Sequence, residues 1–276
     1  MTRVELQLLV NSIADEILGT PTGAVSNATP SHSSPASAPD ARRFAGAAPK
    51  LTVAQFASTI DHTNLKPEAQ AEDIFRLCRE AREHGFATVC THSIWVSLAH
   101  QALRGSAVKV CTVTGFPTGA VPAAVKRLEA EIAIRNGATE IDMVLPVGLL
   151  RQGQLDRVRH DIEAVSEVTR RHGAILKVIL ESAALDERQI AVACALARLG
   201  GAQFVKTSTG FHPAGGATRE HVALMRRAVG NDLGVKASGG IRSLDDAFEM
   251  LSAGASRLGT SSGVALVGAM RKIAGG

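Results

Sequence analysis

The sequence predicts an α/β chain folded as a (β/α)8 TIM barrel with an N-terminal helical and disordered extension, and three observations carry that prediction. From residue 51 onward, eight short runs rich in β-branched residues recur, the number of strands that closes a barrel. Amphipathic helical stretches separate them, several stopped by a glycine, which is the rhythm of parallel βα units. The first run leads into Asp61-His62-Thr63-Asn64-Leu65-Lys66-Pro67, which holds no glycine. An open doubly wound sheet would need a Gly-rich turn there.

Taken in order, residues 1–18 are expected to form an amphipathic helix. Leu6, Leu9, Val10, Ile13, Ile17 and Leu18 recur at helical spacing, and Gly19 is a natural stop. Glu5, Asp15 and Glu16 interrupt the apolar run and no basic segment precedes it, so it does not read as a secretory signal. A helix of this kind docks on its own barrel or on another subunit. Residues 19–50 are almost entirely Ala, Ser, Pro, Thr and Gly, with Pro21, Pro30, Pro35, Pro39 and Pro49. Such a stretch cannot bury enough surface to offset its ordering entropy, and reads as a flexible linker. The barrel domain then occupies 51–276.

Within it, strands are expected at 56–61, 88–91, 109–114, 140–145, 176–180, 204–207, 234–237 and 257–259. The clearest helical patterns lie at 68–84, 121–136, 154–172, 186–199, 218–229 and 244–253. Glycines that suit a left-handed cap follow at Gly85, Gly137, Gly173, Gly200 with Gly201, and Gly254.

Composition narrows the function classes. A net charge of +4 is spread along helices among acids, as in Arg76, Arg79, Glu80, Arg82 and Glu83, and a single Trp with no Tyr leaves little to stack on bases. Nucleic acid is therefore not an expected partner, whereas a small phosphate-bearing molecule suits a mild basic excess. No apolar run approaches the length of a membrane span. Cys78, Cys90, Cys111 and Cys194 show no CxxC or Cys/His ligand spacing and read as reduced thiols of a cytoplasmic protein. With no HxH or HExxH pattern either, no metal site is expected.

Barrel active sites lie at the C-terminal ends of the strands, so polar residues inside or just after strands are the first candidates. Asp61, Asp142, Lys177, Lys206 and Lys236 form such a set. Lys206 and Lys236 lie one βα unit apart, on adjacent staves. Two cations in one pocket are expected to depress each other's pKa, and a partly neutral lysine is an imine-forming nucleophile. Asp142, in the apolar run Glu140-Ile141-Asp142-Met143-Val144, is either a buried ion pair with one of these lysines or a proton-transfer group held beside them. Lys177 is expected to be the countercharge of Glu181 or Asp142 and to meet the substrate, and is the weaker nucleophile.

Two Gly/Ser loops, one through Ser238, Gly239 and Gly240 and one from Gly259 to Gly263, follow the last two strands. That is where such barrels bind phosphate. Thr207, Ser208 and Gly210 follow Lys206 and could meet the sugar or its phosphate, with Asp61 and Thr63 on the opposite rim. His62, His92 and His212 are expected to have incidental polar roles.

These motifs resemble deoxyribose-phosphate aldolase over about residues 60–268: IDHTNL at 60–65, TVTGFPTG at 112–119, EIDMV at 140–144, KVILE at 177–181, FVKTSTG at 204–210, VKASGG at 235–240 and LGTSS at 258–262. The resemblance implies a metal-free, cofactor-free class I aldolase of deoxyribonucleoside catabolism. Its reaction would cleave 2-deoxy-D-ribose 5-phosphate to D-glyceraldehyde 3-phosphate and acetaldehyde, with the C3–C4 bond as the expected point of cleavage. By position, Lys206 is similar to the family's Schiff-base lysine, and Asp142 and Lys236 to its proton donor and acceptor. Gly239, Gly240, Ser261 and Ser262 match its phosphate loops. A sugar phosphate is then the expected ligand, and a homo-oligomer, dimer or tetramer, the expected assembly. Two features depart from the pattern. Phe211 stands where some members carry a phosphate-reaching lysine, and the chain has no Tyr to act as a mobile C-terminal proton donor.

Overall fold

The computed structural model describes residues 2–19 and 51–274. Its strands are β1 (Ile60–Asn64), β2 (Thr88–Thr91), β3 (Lys109–Thr114), β4 (Glu140–Val144), β5 (Ile175–Ile179), β6 (Phe204–Lys206), β7 (Gly234–Ser238) and β8 (Arg257–Thr260). They pair in parallel in sequence order, and β8 closes back on β1. The described helices are α1 (Arg3–Leu18), α2 (Val53–Ala57), α3 (Ala71–His84), α4 (Val96–Ala102), α5 (Ala123–Arg135), α6 (Val147–Arg151), α7 (Leu155–Arg171), α8 (Glu187–Leu199), α9 (Arg219–Val229), α10 (Leu244–Ser252) and α11 (Gly263–Ala274). The chain is thus a closed (β/α)8 barrel.

Strand alternation divides the side chains into two populations. On β4 and β5, Ile141, Met143, Leu176 and Val178 join the apolar layer under the helices, where they pack with buried residues such as Val158, Ile162 and Ile190. Glu140, Asp142 and Lys177 take the opposite face and are also buried. Because an inward position on one stave is paired with an inward position on the next, register decides which charged groups meet. Asp142 pairs with Lys177, Lys206 with Lys236, and Cys90 with Cys111.

The expected first strand, 56–61, is corrected. Thr52 caps a short helix there, accepting the Gln55 N–H at 3.2 Å, while the Gln55 side chain accepts the Thr52 N–H at 2.9 Å. That reciprocal cap outweighs the β-like composition, turns Phe56 and Ala57 into the core, and delays the strand to Ile60. His62 and Thr63 are therefore strand residues rather than loop residues. Helices α2, α4, α6 and α11 were not among the expected elements; each is short or weakly patterned. The other boundaries shift by a few residues at most. Gly200 is right-handed (φ −77°), and its neighbour Gly201 takes the left-handed turn (φ 86°). Residues 20–50 of the expected linker lie outside the described residues.

Helix α1 docks on the barrel's outer wall. Thr2 caps it by accepting the Glu5 N–H at 3.2 Å, and the Glu5 carboxylate accepts the Thr2 N–H at 2.8 Å. Leu6, Val10 and Ala14 are buried, and α1 packs chiefly against α8, with lesser contact to α7 and α9. An ion pair between Arg188 and Asp15 joins α1 to α8. Leu6 is 3% exposed. Leu6→Ala is therefore expected to cost about 2–3 kcal/mol, the usual penalty for a buried leucine that leaves a cavity, read as a lower urea midpoint. An unchanged midpoint would show that α1 detaches without cost to the barrel.

Candidate active site

Asp142 is fully buried, and its carboxylate touches three ammonium groups. Oδ1 accepts from Lys177 Nζ at 2.8 Å, and Oδ2 accepts from Lys206 Nζ at 2.9 Å and from Lys236 Nζ at 2.8 Å. The three lysines differ in how many other carboxylates they meet. Lys177 also reaches Glu140 at 2.6 Å and Asp61 at 3.9 Å, and Lys236 is paired with Asp61. Lys206 has Asp142 alone among the described carboxylates. It is also the one of the three that lines a cavity, of about 390 Å³.

For Lys236 these contacts reverse the expected depression. Burial pulls Lys236 down, but Asp142 and Asp61 outweigh it and hold the ammonium above its ordinary pKa. Lys177 is raised in the same way, burial being overcome first by Asp142 and then by Cys111, Glu140 and Asp61. In Asp142 burial raises the carboxyl, yet Lys177, Lys206 and Lys236 together hold it well below the usual carboxylate range. Asp61 is lowered likewise, with burial opposed by Lys236, Lys177 and Arg257. Of the two alternatives for Lys177, Asp142 is the partner. Glu181 instead accepts from the Thr209 N–H at 3.2 Å and the Thr209 hydroxyl at 2.5 Å. Glu181 takes a left-handed backbone (φ 57°) to do so, a conformation uncommon outside glycine, and so ties the end of β5 to the loop after β6.

The expected binding residues divide by depth. Thr63, Gly210, Ser238, Gly239, Gly240 and Ser261 line the cavity with Lys206. Asp61 and Lys177, expected to meet substrate, are fully buried beneath it in ion pairs and do not line it. Thr207 and Ser208 are also fully buried away from it. The Thr207 hydroxyl donates to the Ser238 carbonyl at 3.1 Å and accepts the Ser238 N–H at 3.0 Å, while the Ser208 carbonyl accepts the Ser238 hydroxyl at 2.6 Å. These two residues lock the loop after β6 to that after β7. Ser262 caps the turn into α11, its N–H donating to the Thr260 hydroxyl at 2.9 Å, and lies off the cavity wall. Gly239 needs its lack of a side chain: at φ 84°, a Cβ would stand 2.9 Å from Gly216 Cα.

Sequence reasoning missed Lys66 and Arg242, two further cations on the cavity wall, and Arg76, which is paired with Asp73 there. Their signal was weak, since exposed lysines and arginines on loops and helices are common. His62, assigned an incidental role, lines the cavity with its Nε2 2.7 Å from Glu80 Oε2. Phe211 forms part of the rim and meets Phe116 edge to face, ring centres 5.2 Å apart. Cys90, Cys111 and Asp142 carry donor atoms within 4.8 Å of one another, a spacing that could hold a cation. Asp142 is already saturated by ammonium groups, and Cys111, whose thiol burial pushes well up, contacts Asp142 at 3.2 Å.

Residues 56–268 match the DeoC/LacD family of aldolases. The deoxyribose-phosphate aldolase of Streptococcus gordonii is 53% identical over 208 residues, covering 75% of this chain and 93% of the relative. That of Brevibacillus brevis is 54% identical over 208 residues, with the same coverage of 75% and 93%. Among solved structures, a Coccidioides immitis protein provisionally assigned as a deoxyribose-phosphate aldolase superposes with a TM-score of 0.82 at 38% identity, covering 98% of each chain. The tetrameric deoxyribose phosphate aldolase of Aeropyrum pernix gives a TM-score of 0.75 at 34% identity, over 80% of this chain and 93% of that one.

The two depressed carboxylates fix how stability responds to acid. Asp61 and Asp142 have lower pKa values folded than unfolded, so their contribution is complete above the ordinary carboxylate value near 4 and is lost as pH falls below it toward their folded values. Urea midpoints are expected to drop steeply below about pH 4. They should drop less steeply in Asp61→Asn, which has already lost one of the two groups. An acid limb identical in both proteins would contradict the assignment.

Proposed function

Because the chain belongs to the DeoC/LacD family of aldolases, we propose that it is a class I aldolase that reversibly cleaves 2-deoxy-D-ribose 5-phosphate to D-glyceraldehyde 3-phosphate and acetaldehyde. The observation that carries the reading is the asymmetry of the three lysines around Asp142. Lys206 has the fewest carboxylate partners and opens on the cavity, whereas Lys177 and Lys236 are buried and doubly or triply paired. Lys206 is therefore the proposed nucleophile.

In the proposed mechanism Lys206 Nζ adds to the C1 aldehyde of the open-chain sugar, and loss of water leaves an iminium. Carbon count corrects the expected point of cleavage. Acetaldehyde carries away two carbons, so the bond that breaks is C2–C3. A base removes the proton of the C3 hydroxyl, the C2–C3 electron pair moves into the iminium, and glyceraldehyde 3-phosphate leaves. The resulting enamine takes a proton at C2, and water hydrolyses the imine to release acetaldehyde and restore Lys206. Asp142 and Lys236 are proposed to move these protons. Asp142 Oδ2 accepts from Lys206 Nζ at 2.9 Å and from Lys236 Nζ at 2.8 Å, which holds both proposed proton-transfer groups beside the amine that would carry the imine.

The phosphate is proposed to lie over Gly210, Gly239, Gly240 and Ser261, with Lys66 and Arg242 supplying charge. The roles expected of Ser238 and Thr63 are proposed for the same wall, next to the sugar. As further parts of this proposal the enzyme is cytoplasmic and homo-oligomeric. All four cysteines are buried and unbridged, which fits a reducing compartment, and the Aeropyrum pernix relative is tetrameric. Among the described residues, no helix is long and apolar enough to cross a membrane.

Lys206→Ala is expected to abolish cleavage, with at least a thousandfold loss on the order of that seen when a covalent nucleophile is removed, while the fold survives. Borohydride with acetaldehyde should add mass to the peptide that carries Lys206. Labelling on Lys236 or Lys177 instead would overturn the assignment. A second expectation concerns Phe211, which puts an aromatic ring on the rim where a cation would attract phosphate. Phe211→Lys should raise the preference for phosphorylated over free deoxyribose several-fold, about the worth of one surface cation near an anion. An unchanged ratio of kcat/KM values would sink that idea.

A further inference from the structure

Beneath Asp142 the ion pairs continue. The Arg257 guanidinium, at the start of β8, binds Asp61 through Nη1 and Glu140 through Nη2, the latter at 3.1 Å. Asp61 in turn holds Lys236, and Glu140 holds Lys177 at 2.6 Å, so both arms climb from Arg257 to Asp142 and end at Lys206. Asp61 and Glu140 are 0% and 2% exposed, so this is a buried charge ladder rather than a solvated one. Every strand faces it with at least one titratable or charged group: Asp61, Cys90, Cys111, Glu140 with Asp142, Lys177, Lys206, Lys236 and Arg257. The thiol of Cys111 sits 3.3 Å from Lys177 Nζ, and the free thiol of Cys90 takes the paired position on β2.

Charge counting gives this ladder a consequence for the reactive end. When Lys206 is protonated, four cations (Arg257, Lys177, Lys206 and Lys236) face three carboxylates (Asp61, Glu140 and Asp142). One positive charge is unmatched. Arg257 does not deprotonate in proteins, and Lys177 and Lys236 are each held by at least two carboxylates. Lys206 is the least matched of the four, with one carboxylate partner, and the one that lines the cavity.

We propose that Glu140 and Arg257 are positioning residues that set, from the floor of the barrel, the pH range in which Lys206 forms its imine. They act through Lys177, Asp61 and Asp142 and touch no substrate. The inference rests on the aldolase reading above and adds residues that reading does not use. Removing Glu140's charge leaves four cations against two carboxylates and favours loss of the Lys206 proton. Removing Arg257's charge leaves three against three and favours keeping it. The two single variants thus act in opposite directions, an outcome that general loosening of the core does not produce.

The test is the pH dependence of kcat/KM for deoxyribose 5-phosphate, with borohydride trapping of acetaldehyde as a second readout. In Glu140→Gln the rising limb should move to lower pH by about one unit, and in Arg257→Gln to higher pH by about one unit. At a fixed pH on that limb, trapping should be about tenfold faster in the first and about tenfold slower in the second. Arg257→Lys, which keeps the charge, should leave the limb in place. Where a single variant is recovered unfolded, Glu140→Gln/Arg257→Gln carries the test, because removing both charges restores the excess of one and with it the wild-type limb. Shifts in the same direction, no shift, or a displaced limb in the double variant would overturn the proposal. A wild-type protein that is neither active nor trapped would instead bring down the aldolase reading, and this inference with it.

Discussion

One carboxylate organises the interior of this barrel. Asp142 holds three ammonium groups within 2.9 Å, and each of those groups would be costly to bury by itself. Desolvation alone would keep the acid protonated and the lysines neutral. The contacts reverse that sign for Asp142, Lys177 and Lys236, so the cluster is stable only as a set of opposite charges. A barrel lends itself to this arrangement, because eight parallel strands in fixed register bring one inward position from each stave to a common axis.

The same register makes chemically identical side chains unequal. Lys206 and Lys236 are paired Cα to Cα, yet one opens on the cavity and the other is sealed. What separates them is Asp61, which pairs with Lys236 from the far side, and the short β6, which ends at Lys206 and lets the chain turn away into the Thr207 to Gly210 loop. That loop is held on both flanks, by Glu181 through Thr209 and by Ser238 through Thr207 and Ser208. The Thr207 and Thr209 hydroxyls thus tie the cavity wall, one to the Ser238 carbonyl and the other to the Glu181 carboxylate.

How far the sequence revealed this can be traced residue by residue. Barrel class and strand order were legible because alternation and βα spacing are local signals, and they extend over the whole domain. Asp142, Lys206 and Lys236 were legible as candidates because a charge in an apolar strand is rare and expensive. Their electrostatics were not, since the sign of a pKa shift depends on how many carboxylates surround a lysine, and those came from strands far apart in sequence. Glu140 lay two residues from Asp142 on the same face, and Arg257 opened a recognised strand, so period-2 alternation alone could have marked both. The strand misplaced at 56–61 failed for a different reason: a two-residue capping exchange between Thr52 and Gln55 decided a segment whose composition pointed the other way.

Burying so many charges makes sense only if position is worth more here than stability. A well-packed apolar cluster of similar volume is often no less stable than a buried ion network. What an apolar cluster cannot do is hold an amine at a fixed depth beside an acid that stays ionised and a neighbour that stays protonated. In this barrel the deep cations each meet two or more carboxylates, and the one cation of the described buried cluster with a single carboxylate partner, Lys206, stands at the cavity. On the proposed reading, reactivity is graded along the barrel axis by the number of partners each group has, with the fully paired charges providing the field in which Lys206 works.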